Sequence, residues 1–136
     1  MLAVLVLALV LVPAALAGKG GNGGKPSGGT STISPPLEVN DLNGDRSPNW
    51  GDTVTFDVST TATDRPYVSL NCYQNGVWVY SASAGFFPDY PWGQNFTLAT
   101  SSTWTSGAGD CTATLYKTTD GRRSTTLATR TFHVNA

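Results

Sequence analysis

The sequence predicts an all-β protein: one domain built as a seven-stranded antiparallel Greek-key sandwich. Three observations carry this. Apolar residues recur with a period of two, glycine-containing turn dipeptides separate the alternating runs, and no eleven-residue window carries an apolar stripe at helical spacing. The two cysteines share the parity of the apolar residues around them, so both point into the expected core.

The elements follow in order. A short strand is expected at 37–41, then a turn region holding Asn43-Gly44 and Pro48-Asn49. In 52–60, Val54, Phe56 and Val58 alternate with Thr53, Thr55 and Asp57, the pattern of a strand with one buried face. In 66–74, Val68, Leu70 and Cys72 alternate with Ser69 and Asn71. Asn75-Gly76 then marks a two-residue hairpin, because both central positions of a type I′ turn need positive φ. The next strands are expected at 77–83 and 94–100, joined by a loop rich in aromatic residues and proline. In 110–117, Cys111, Ala113 and Leu115 alternate with Thr112 and Thr114. Asp120-Gly121 turns the chain into the last strand, 124–134, where Phe132 and Val134 point inward and His133 outward.

Ahead of these strands lie two segments of different character. Met1–Ala17 carries no charged side chain and ends in Ala15-Leu16-Ala17, the small-x-small triplet that a signal peptidase cuts. Cleavage would leave 119 residues. An uncleaved segment would sit near the lower limit of about 17–25 residues for spanning a bilayer, and a membrane is a partner only in that case. Residues 18–36 hold seven glycines and three prolines with almost nothing apolar, so they are expected to form a flexible linker ahead of a domain at 37–136.

Export suits a disulfide, and Cys72 most simply pairs with Cys111. Charge is sparse. From Ile33 onward six basic residues oppose nine acidic ones, a net charge of −3, and the only adjacent basic pair is Arg122-Arg123. Nucleic acid is excluded as an expected partner, because its affinity rests on many phosphate contacts.

The layout resembles bacterial secreted immunoglobulin-like domains. The likeness rests on Trp50-Gly51-Asp52-Thr53-Val54-Thr55-Phe56, on Cys72 followed by Trp78, and on Gly109-Asp110-Cys111-Thr112-Ala113. Departures from the antibody-type pattern are specific. Trp78 follows the first cysteine by only six residues, and Gly109 stands where a tyrosine precedes the second. The cysteines also fall on the third and sixth expected strands, neighbours within one sheet, which suits a fibronectin-III-like arrangement. The resemblance implies a recognition, adhesion or spacer module with an unidentified protein or glycan partner, and it supplies no catalytic residues.

Two clusters are candidates for binding. Phe86, Phe87, Tyr90 and Trp92 lie among Pro88, Pro91 and two glycines, where rings on a loop can stack on sugars or anchor a partner protein. Tyr90 and Trp92 are the rings expected to be exposed; the others are expected to cap the core. Asp41, Asn43, Asp45, Ser47, Asn49 and Asp52 occupy positions 1, 3, 5, 7, 9 and 12 of a segment, the spacing of an EF-hand calcium loop. Arg46 replaces the glycine of position 6, and strands replace the flanking helices. An ordinary turn is the simpler account, so no cofactor is expected and Ca²⁺ is the alternative. Catalysis has little to draw on, with one histidine, one glutamate and no nucleophile-elbow serine, and the expectation is a non-enzyme.

Overall fold

The computed structural model describes residues 29–99 and 101–136, so the expected signal peptide (1–17) and most of the expected linker (18–28) lie outside it. The described residues form nine strands and no helix. They are β1 (Ser31–Ile33), β2 (Leu37–Asn40), β3 (Thr53–Thr55), β4 (Val58–Thr60), β5 (Tyr67–Gln74), β6 (Val77–Gly85), β7 (Phe96–Thr97), β8 (Gly109–Thr119) and β9 (Arg123–Val134).

Three antiparallel sheets result. β6-β5-β8-β9 is four-stranded, β2-β3-β7 is three-stranded, and β1 pairs with β4. The segment 52–60, expected to be one strand, is two, and β3 and β4 belong to different sheets. The cause lies opposite: Pro35 and Pro36 separate β1 from β2, and prolines have no N–H to donate to a ladder. Ser34 bridges the gap. Its N–H donates to Asp57 O at 2.9 Å, and its Oγ accepts the Asp57 N–H at 2.9 Å. β1 falls inside the stretch read as linker; Ile33 is its buried anchor, and Arg130 of β9 donates to Ile33 O.

Both main sheets send side chains into one buried cluster. Val54, Phe56 and Phe96 meet Val68, Leu70, Cys72, Ala113 and Leu115, with Trp104 and Leu98 fully enclosed. The alternation in β5 and β8 is the one the sequence predicts, apolar inward and polar outward. Both hairpin turns adopt positive φ at their central residues, Asn75 and Gly76, and Asp120 and Gly121.

Cys72 and Cys111 are direct cross-strand partners on β5 and β8 and form a disulfide within one sheet. Gly109, two residues ahead, has a packing reason. A Cβ there would lie 3.0 Å from the Trp104 ring and 3.2 Å from Tyr73 O. Trp104 itself was not legible as core. Its indole N–H donates to Gly107 O at 3.0 Å, and its carbonyl accepts the Trp50 indole N–H at 3.1 Å.

Candidate functional site

The loop after β6 folds back on the outer face of the four-stranded sheet. Gln94 pins it by donating to Gly85 O at 3.0 Å, while Thr55 donates to Gln94 O at 2.7 Å. The four candidate rings divide. Phe86 turns inward and stacks on Phe96, with centroids 6.3 Å apart. Phe87 is buried between Tyr67 and Tyr90, at 5.5 and 5.3 Å, beneath the Arg65 guanidinium, which also bonds Asp89. Phe87 leaves little ring surface for a ligand, whereas Phe86 is partly buried and lines the groove beside the loop. Tyr90 is half-buried, and Trp92, 5.4 Å from it, is 72% exposed.

Gly85 makes this packing possible. A methyl group there would lie 2.5 Å from ring atoms of both Phe87 and Tyr90. Tyr90 therefore occupies the space over the sheet that a side chain at position 85 would fill. Below Trp92, a groove of about 700 Å³ runs between the loop and the β3–β4 break, with Asp57 and Asn95 on its wall.

Strand register shows what else shares this face. Gly85, Tyr67 and Tyr116 are cross-strand neighbours, and the two tyrosine rings stack at 5.7 Å. The next row along the sheet is Ser83, Ser69, Thr114 and Thr129. After it come Ser81, Asn71, Thr112 and Thr131, then Trp78, Tyr73, Asp110 and His133. Trp78 is 59% exposed and Tyr73 42%. His133 Nδ1 lies 2.8 Å from Asp110 Oδ1 on this open surface. Tyr67, Tyr73 and Tyr116 were missed in the sequence, although each stands at the outward parity of its strand.

The acidic loop is held by hydrogen bonds from its own backbone to its side-chain oxygens. Asp41 accepts the N–H groups of Gly44 and Arg46, at 2.7 and 2.8 Å, and the Arg46 N–H leads in holding its carboxyl below the usual range. Asn43 Oδ1 accepts the Asp45 N–H, and Asp45 accepts from Ser47 N and Asn49 Nδ2. Asp52 is fully buried, and its two oxygens accept the Leu42 and Asn49 N–H groups, each at 2.9 Å. Asp41, Asn43, Asp45 and Asp52 thus each accept hydrogen bonds from their own turn. Among the described residues, no group of three or more His, Cys, Asp or Glu converges to hold a metal ion. Arg46, at the position a calcium loop gives to glycine, does adopt positive φ, 62°.

Glu38, on β2, is the group left over. Both its carboxylate oxygens are shielded from solvent without a hydrogen-bond partner. Burial, then the charges of Asp52, Asp41 and Asp45, push its pKa up to about 7.

No family model, curated protein or solved structure matches the chain. Geometry therefore carries the functional reading. It offers a ring-lined surface on the outer face of the four-stranded sheet. The His133–Asp110 pair stands in the open, and its ring makes no hydrogen bond to a hydroxyl nucleophile among the described residues.

Proposed function

We propose that this chain is an exported, non-enzymatic recognition module of immunoglobulin-like, fibronectin-III-like architecture. Its contact surface is the aromatic patch carried by the 86–95 loop. Support for the architecture comes from strand order. With β1–β2 and β3–β4 each counted as one interrupted strand, seven strands distribute as three and four, and β6-β5-β8-β9 carries the disulfide between its central pair. Export is supported by the apolar leader with its Ala-x-Ala triplet and by the disulfide. Among the described residues no helix is long and apolar enough to cross a membrane.

The observation that carries the function is Trp92. Its ring is 72% exposed and is braced through Tyr90, Phe87 and Tyr67 in a continuous chain of edge contacts. Such bracing removes the ordering entropy that a partner would otherwise have to offset. The test is co-sedimentation of the purified protein with the envelope and matrix fractions of its native host. Trp92→Ala should reduce the bound fraction at least about tenfold, the scale of a hot-spot ring. Undiminished binding by the variant would rule the patch out as the contact surface.

A further inference from the structure

The outer face of the four-stranded sheet has a composition that selects its ligand. Its two middle rows, running from Ser83 to Thr129 and from Ser81 to Thr131, contain only hydroxyl and amide side chains. None of these eight side chains is hydrogen-bonded within the protein among the described residues, although those on the two central strands are half-buried. An outward sheet face commonly carries mixed charges, and these rows carry none. Aromatic residues bound the rows at both ends: Tyr67 and Tyr116 at one, where Tyr90 packs on Tyr67 and Trp92 on Tyr90, and the cross-strand neighbours Tyr73 and Trp78 at the other. Tyr67 and Tyr73 are six residues apart on β5, which sets the ends roughly 20 Å apart at 3.3–3.4 Å per residue.

From this we infer that the face is a platform for one extended, uncharged polysaccharide chain. Trp92 with Tyr90 and Trp78 with Tyr73 form two stacking subsites, and the hydroxyl rows between them bond the sugar hydroxyls. A protein partner would find nothing apolar in the middle rows to bury, and an ionic polymer would find no opposite charge there. A neutral chain with hydroxyls along its edges and flat C–H faces matches both parts of the surface. The proposal rests on the recognition reading above and adds a ligand class and a second subsite that does not touch the 86–95 loop.

The experiment is native affinity electrophoresis of the full chain through gels containing hydroxyethylcellulose, xylan, mixed-linkage β-glucan or pullulan. At least one polymer should retard the wild type. Trp92→Ala and Trp78→Ala should each weaken that retardation about tenfold, and a hexasaccharide should compete better than a disaccharide of the same linkage. Both tryptophans are exposed, so unchanged melting curves will show that the variants are folded. Failure of every polymer to retard the wild type would overturn the proposal, as would retardation that Trp78→Ala leaves intact. In either case, Trp92-dependent sedimentation with the host envelope would leave the recognition module standing, now with another class of partner.

Discussion

Replacing Glu38 with glutamine should make the protein more resistant to unfolding at high pH and leave that resistance nearly unchanged at low pH. The carboxyl titrates at about 7 in the folded chain against an ordinary value of 4.5, because burial and three nearby aspartates oppose its charge. A raised folded-state pKa means that the native state holds the proton more tightly than the unfolded chain. Below about pH 4.5 the group is neutral in both states and costs nothing. From there to about pH 7 the cost grows as the native carboxyl is forced to ionise, and above that it is complete. At 1.36 kcal/mol per pH unit, the interval between those values sets a ceiling of about 3.4 kcal/mol. The Glu38 side chain is only part-buried, so solvent screening brings the expected cost to about 1–2 kcal/mol.

Glutamine also leaves buried polar atoms without partners, but that penalty does not vary with pH. The readout is therefore the difference between the two urea-unfolding curves from pH 4 to 8.5. It should widen in favour of the variant by about 1–2 kcal/mol, roughly 1 M in urea midpoint for a domain of this size. A gap that stays constant with pH would refute the placement of the Glu38 carboxylate against Asp41, Asp45 and Asp52.

The denatured, unreduced protein should show no free thiol, and replacing Cys72 and Cys111 by alanine should cost up to about 4 kcal/mol in chain entropy, measured by denaturant unfolding. Gly85→Ala should displace the Phe87 and Tyr90 rings, lowering stability by about 1–3 kcal/mol and changing the Trp92 fluorescence; a neutral substitution would contradict the ring packing over that position. Millimolar Ca²⁺ should leave the melting temperature where a chelator leaves it, since the loop oxygens already hold backbone N–H groups; a rise with Ca²⁺ would mean that the loop reopens around a cation.

Much of the architecture was legible because it depends on local pattern. Val68, Leu70 and Cys72 announce the buried face of β5, and Asn75-Gly76 announces its hairpin. The disulfide followed from two core-facing cysteines in an exported chain, and its place within one sheet from the immunoglobulin-like layout that the sequence resembles. What escaped depends on contacts between distant segments. The break between β3 and β4 is imposed by Pro35 and Pro36, some twenty residues earlier. Trp104 lies in no alternating run, and only the gap left by Gly109 shows where its ring goes. At the candidate site, the exposure of Trp92 could be anticipated from its loop. The platform of Tyr67, Tyr116 and Tyr90 could not, because it forms when strand register and the absent side chain of Gly85 bring three segments together. In the acidic loop the spacing of Asp41, Asn43, Asp45 and Asp52 was legible, but spacing does not reveal the hydrogen bonds that their oxygens accept from the turn's own backbone.

The central claim is that the braced Trp92 ring meets a partner outside the cell. A photo-crosslinking side chain at exposed Gly93, beside Trp92 and with open space around it, and another at exposed Thr125 on β9, would test it in the native host. An adduct should form from position 93 and none from position 125. Equal adducts from both positions, or no adduct from position 93, would contradict the claim.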